Sequence, residues 1–207
     1  DSSIKGRVLL YFNEFNLSFL PSGMLRSHCD SIPGYVDMMR YGAAAQDYFE
    51  DYHISDLADS QLSSAQKAYA TTQVTMTNQQ EKGEGYAGTT LTLESRIILN
   101  FVYHNTALEG VTHAVAVYTN HYGNPVSSTI AAADFKSYSD TMTYIPVSGM
   151  AVADCGQLVT LTLYDANDKI VSTSCDSVES YISRIANANE LYSKIIRFAY
   201  SAYMSFH

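Results

Sequence analysis

Between residues 89 and 173 apolar and polar side chains alternate in short runs, broken by turn-forming residues at intervals of roughly 8–15 positions. Residues 89–93 (Thr-Thr-Leu-Thr-Leu) alternate. Ile97, Leu99, Phe101 and Tyr103 then share one face of a second strand, opposite Arg96, Ile98, Asn100 and Val102. In 111–119, His113, Val115 and Val117 face one way and Ala114, Ala116 and Tyr118 the other. Further strands are predicted at 126–131 and 141–147. The clearest hairpin runs through 158–164, turns at Asp165-Ala166-Asn167-Asp168 and returns through 169–173. About seven short strands of this kind predict an immunoglobulin-like antiparallel β-sandwich.

The period changes at both ends, so the fold class is mainly β with flanking amphipathic helices. After Pro33, suited to a first helical position, Met38, Tyr41, Ala45 and Phe49 recur at helical spacing. Near the end Leu191, Ile195, Phe198, Ala202 and Phe206 do the same. A shorter helix is predicted around 60–70. Residues 71–86, with Gly83-Glu84-Gly85-Tyr86, read as a linker.

The two ends also echo each other. Cys29-Asp30-Ser31-Ile32-Pro33-Gly34-Tyr35 parallels Cys175-Asp176-Ser177-Val178-Glu179-Ser180-Tyr181. Met38-Met39-Arg40-Tyr41 parallels Ile195-Ile196-Arg197-Phe198, with Ala45 against Ala202 and Phe49 against Phe206. Residues 1–70 therefore read as the tail of a preceding repeat, a strand hairpin (7–20) plus helices. After the linker, 87–176 is the sandwich, and 177–207 a C-terminal helical segment expected to pack on it.

Composition narrows the function. The chain of 207 residues carries 12 Lys and Arg against 21 Asp and Glu, a net charge of −9, with no basic cluster. That argues against nucleic acid and against anionic membrane surfaces. No apolar run approaches the roughly 18–20 residues of a membrane span. The chain opens at Asp1 without a leader pattern, as a mature fragment would. Its 17 Tyr, absent Trp and 16% charged residues suit an extracellular or cell-surface protein better than a cytosolic enzyme.

Catalytic chemistry finds little purchase. Cysteines and histidines lack zinc spacing, and no HExxH, calcium loop, GxSxG or phosphate loop occurs. Paired glycosidase carboxylates are not recognisable among Glu84, Glu94, Asp134, Asp140 and Asp154. Asp165 and Asp168 suit turn geometry, His113 a strand face, and nothing calls for a Cys155–His104 nucleophile pair. The reading is therefore no enzyme and no cofactor. The best binding candidate is 118–125, whose Tyr118, Asn120, His121 and Tyr122 fall at a strand-to-strand loop; Tyr138 and Tyr144 are placed similarly. Tyr and Asn give large rigid contacts with adaptable hydrogen bonds. The competing reading packs Tyr118 in the sandwich and leaves Gly123-Asn124-Pro125 to turn the chain.

Several motifs carry a resemblance. Met39-Arg40-Tyr41-Gly42-Ala43-Ala44-Ala45-Gln46-Asp47-Tyr48-Phe49 resembles the MLxYGAYAQxYF helix of repeat modules in large secreted proteins of gut Firmicutes. Residues 88–101 (GTTLTLESRIILNF) are similar to those modules' first strand pair. Leu163-Tyr164-Asp165, with Ser177-Val178-Glu179-Ser180-Tyr181, is similar to their last hairpin. The C-terminal helix departs, with Ala199-Tyr200-Ser201-Ala202-Tyr203-Met204 in place of YGAYAQ. These are fold markers. The resemblance implies a non-catalytic surface module found beside dockerins, wall anchors and adhesin arrays. Its expected partner is a host protein, immunoglobulin among the candidates; a carbohydrate-binding module or a structural spacer of a glycan-degrading protein is the alternative.

Three thiols complete the inventory. With the 158–173 turn centred between Ala166 and Asn167, Cys155 and Cys175 fall near the hairpin's open end but out of register. A bridge between them needs a bulge or bend before Leu158. Three free thiols are the competing and leading outcome, and an anaerobic gut habitat, implied by the resemblance, favours it.

Overall fold

The computed structural model describes residues 33–48, 59–60, 62–65, 79–93, 97–185 and 190–204. These fall into two compact units, one holding the first and last helices and the other holding 79–185.

In the helical unit, α1 (Pro33–Tyr48) starts at the expected proline, and its partner is α3 (Glu190–Met204). Met38 and Ala45 of the predicted stripe are buried, as are Leu191, Ile195 and Phe198 of the second. Phe49, Ala202 and Phe206 lie outside the described side chains. So do the hairpin at 7–20, Cys29, and most of the helix expected near 60–70. Tyr41 stacks on Phe198, its equivalent in the sequence echo, with ring centroids 6.1 Å apart. The helices also carry ion pairs: buried Arg197 Nε donates to buried Asp37 Oδ1 at 2.7 Å, and partly buried Arg40 Nη1 donates to Asp59 Oδ2 at 2.6 Å.

The second unit is a β-sandwich of two four-stranded antiparallel sheets. Its strands are β1 (Tyr86–Leu93), β2 (Ile97–His104), β3 (Val111–Thr119), β4 (Pro125–Ala131), β5 (Lys136–Ser139), β6 (Met142–Met150), β7 (Val159–Asp165) and β8 (Ile170–Asp176). One sheet runs β1-β2-β6-β5, the other β4-β3-β7-β8. The alternation seen in the sequence becomes the core. Leu99, Phe101 and Tyr103 of β2 face inward, as do Ala114, Ala116 and Tyr118 of β3 and Val159, Leu161 and Leu163 of β7. β5 was not anticipated: Lys-Ser-Tyr-Ser has no apolar alternation, because all four residues are exposed at a sheet edge.

β8 breaks the rule that an inner face is apolar. Its inward residues are Ser172, Ser174 and Asp176, all buried and paired with Leu163, Leu161 and Val159. Their partners come from the stretch expected to be linker. Glu81 and Cys175 exchange both backbone hydrogen bonds at 2.9 Å. Gly83 N–H donates to Ser174 Oγ at 3.0 Å, and Ser172 Oγ to Glu84 O at 3.0 Å. A Cβ on Gly83 would collide with Thr173 O and Ser172 Oγ, so only glycine fits this approach. Residues 79–85 are thus a strap docked on a polar seam.

The seam ends at Asp176, a fully buried carboxylate. Its Oδ2 accepts from Tyr86 Oη at 2.8 Å, Thr89 Oγ1 at 2.7 Å, Gln80 Nε2 at 2.9 Å and Arg184 Nη2 at 2.6 Å. Its Oδ1 takes Ser177 N–H at 2.9 Å. Arg184 comes from α2 (Val178–Ile185), which places Val178 and Ile182 in the sandwich core. The C-terminal segment expected as one piece is therefore divided: α2 belongs with the sandwich and α3 with α1.

Candidate binding surfaces

The loop singled out in the sequence is a tight hairpin turn. Asn120 N–H donates to Asn124 O at 2.9 Å, and Asn120 Oδ1 accepts from the N–H groups of Tyr122 and Asn124, each at 3.0 Å. Gly123 supplies the left-handed residue, φ +78°. The β7–β8 turn repeats this design with Asp165 in the role of Asn120. Asp165 Oδ1 accepts from Asn167 N–H at 2.8 Å and Lys169 N–H at 3.0 Å, and Asp168 takes the left-handed position, φ +58°. The Lys169 and Asn167 amides hold the Asp165 carboxyl below the usual range.

Side chains of the turn divide sharply. Tyr118 is in the core and His121 is buried. His121 N–H and Nδ1 both lie 2.7 Å from Asp154 Oδ1, and Asp154 Oδ2 accepts Ala151 N–H at 3.1 Å. This pair ties the β3–β4 turn to the 3₁₀ turn Val152–Asp154 that leads towards β7. Tyr122 is 62% exposed, its ring 4.0 Å from that of His121. Tyr138 is 54% exposed but sits elsewhere. Tyr122 lies beyond the Thr119 end of β3. Tyr138 lies beside the Ser139–Met142 pairing, next to His104 and the short turn Asn105–Leu108 that enters β3 at Val111. The two exposed rings are at opposite ends of the sandwich and form no common platform.

Cys155 and Cys175 are free. The β7–β8 ladder shifts register between Leu163 and Tyr164, which puts Thr160, not Cys155, opposite Cys175. Thr160 Oγ1 and Cys175 Sγ lie 3.3 Å apart. Burial, reinforced by the Asp154 and Glu179 charges, pushes the Cys155 thiol far up and keeps it protonated.

The outer face of the β4-β3-β7-β8 sheet went unnoticed in the sequence. Three rows cross it: Ser127, Val117, Thr160 and Cys175; Thr129, Val115, Thr162 and Thr173; and Ala131, His113, Tyr164 and Ile170. None of these twelve residues is a carboxylate, lysine or arginine; exposed Glu81, bridged to Cys175, extends the first row at its edge. Val117 is 43% and Ile170 57% exposed. His113 and Tyr164 stack in parallel, centroids 5.0 Å apart, with Asp168 Oδ1 4.0 Å from His113 Nε2. The signal was present as the second face of each alternating strand. It becomes a surface only once the strand order is known. Among the described residues no group of three His, Cys, Asp or Glu is placed to hold a metal ion.

Comparison of the chain with protein-family models, with curated proteins and with solved structures finds no match.

Proposed function

We propose that this chain is a non-catalytic binding module of a secreted or cell-surface bacterial protein, acting in adhesion to a host protein. The observation that carries the reading is the outer face of the β4-β3-β7-β8 sheet, whose three central rows hold no carboxylate, lysine or arginine and whose margin carries Glu81 and Asp168, in a chain of net charge −9. Depletion of charge with retained aromatic and β-branched side chains marks the core of protein interfaces. Exposed sheets whose only task is solubility carry both signs of charge.

Immunoglobulin is the first partner to test. Immobilised full-length chain should retain purified immunoglobulin, and Val117→Lys should weaken capture by about thirtyfold, the effect of losing about 2 kcal/mol at an interface centre. Its melting temperature should hold, because position 117 is an exposed site. Equal capture by wild type and Val117→Lys removes this face from the reading; no capture removes immunoglobulin as the partner. A second reading, glycan binding, draws on the stacked His113–Tyr164 pair beside Asp168, and a mucin-glycan array tests it with Tyr164→Ala as the control.

A further inference from the structure

A two-sheet sandwich has four edge strands, here β1, β5, β4 and β8. An unshielded edge offers unpaired N–H and C=O groups to any strand that arrives, and folds usually guard against this with charge, bulges, shortness or a cover. Three of the edges are guarded. β8 is covered by the strap through the Glu81–Cys175 bridge. β5 has four residues, begins with Lys136 and breaks register between Ser137 and Ser139. β1 breaks register between Tyr86 and Gly88, and α2 packs against it, Arg184 Nη2 reaching Thr89 Oγ1 at 3.1 Å.

Among the described residues β4 has none of these devices; its one guard is the proline at its first position, Pro125. The strand is seven residues long, Pro-Val-Ser-Ser-Thr-Ile-Ala, and carries no charge. Its ladder with β3 runs unbroken from Thr119–Pro125 to His113–Ala131, whereas each of the other ladders among the described residues contains a register shift. Five of its seven residues are exposed and none is buried.

The strand is also self-complementary. Val126, Ser128 and Ile130 share the inner face with Tyr118, Ala116 and Ala114, their partners on β3, while Ser127 and Thr129 point outward. Reversed about Ser128, the order of apolar and hydroxyl side chains is unchanged. We infer that β4 is the contact of a symmetric dimer, in which two copies of this chain pair their β4 strands antiparallel about a twofold at Ser128. Val126 then meets Ile130 of the other copy, Ser127 meets Thr129, and Ser128 meets itself. No like charges are set opposite one another, which matters because each copy brings −9 to the encounter. Such a pair of edges buries less than the roughly 1,200 Å² of a standard interface, so the dimer is weak and forms at high concentration. Screening of the net charge should strengthen it as salt rises.

Sedimentation of the full chain from about 10 μM to 1 mM, at low salt and at about 0.5 M salt, tests this independently of any ligand capture. The expected result is a monomer–dimer equilibrium that shifts to dimer with concentration and with salt, and that Ser128→Lys abolishes by setting lysine against lysine. With the wild-type chain as baseline, Ser128→Cys should oxidise to a covalent dimer faster than Ser127→Cys, whose register places it opposite Thr129. A wild-type chain monomeric throughout, a dimer indifferent to Ser128→Lys, or equal oxidation of the two cysteine variants overturns the inference.

Discussion

Replacing Asp176 with alanine withdraws the acceptor on which four side chains and one backbone amide converge. Tyr86 and Thr89 are each 8% exposed, so their hydroxyls lose a partner where water cannot readily replace it, at about 1–3 kcal/mol each. Arg184 has 27% of its side chain exposed and recovers part of its loss by turning to solvent. The two hydroxyls together come to about 2–6 kcal/mol, which brackets the roughly 3–5 kcal/mol typical of breaking one half of a buried ion pair. Urea unfolding of the full chain, with hydrogen exchange in β7 and β8 to identify the sandwich transition, should register it. Arg184→Ala alone should destabilise, yet in the Asp176→Ala background it should cost clearly less, because its ion pair is already gone and only contacts such as that with Thr89 Oγ1 remain to be lost. A loss below about 1 kcal/mol for Asp176→Ala, or equal costs of Arg184→Ala in both backgrounds, would refute the reasoning.

Gly83→Ala should destabilise the sandwich and speed exchange of the Glu81 and Cys175 amides, since the added methyl meets Thr173 O and Ser172 Oγ; unchanged exchange would show that the strap is dispensable. His121→Ala should lower the melting temperature, because it empties the contact with Asp154, whereas Tyr122→Ala should leave it nearly unchanged, as its ring is largely in solvent; equal effects on both would contradict the division. Burial pushes the Tyr103 hydroxyl up to about 12, with the Ser174 hydrogen bond opposing and the Cys175 charge adding, and burial followed by the Asp176 charge raises Tyr86 as well. The folded chain then keeps these rings neutral while the unfolded chain ionises near pH 10, so stability is whole below pH 10 and falls as pH rises towards 12. Urea midpoints that stay flat from about pH 8 to 11.5 would count against it.

The sandwich was legible where strands bury one alternating face, as β3 and β7 do; in β2 the opposite face is buried too, at Asn100 and Val102. Ile97, Leu99, Phe101 and Tyr103 are all at or near zero exposure, on the face their spacing assigned. Two parts were illegible for physical reasons. β5 is a polar edge whose only cue is its pairing with β6. The strap uses Gln, Gly and Glu, the residues of loops, because it docks on serines and an aspartate lying about 90 positions away in the chain. The binding loop shows the same limit. Tyr118, His121 and Tyr122 look alike in sequence, but only Asp154, 33 residues on, settles that His121 serves the fold and Tyr122 the surface. The outer face of the β4-β3-β7-β8 sheet needed strand order, which alternation alone does not contain.

The meeting of strap and seam has a mechanical side. Gln79 and Gln80, the first described residues of the sandwich unit, are fastened to α2 and to Asp176, the last residue of β8. Gln79 N–H and O engage Ser180 Oγ, while Gln80 and Arg184 hold the same oxygen of Asp176. Tension applied through the ends is carried first across this short tie, which shunts load past the two sheets. Pulled from its two ends, the sandwich would keep its sheets in register until the tie itself gave way.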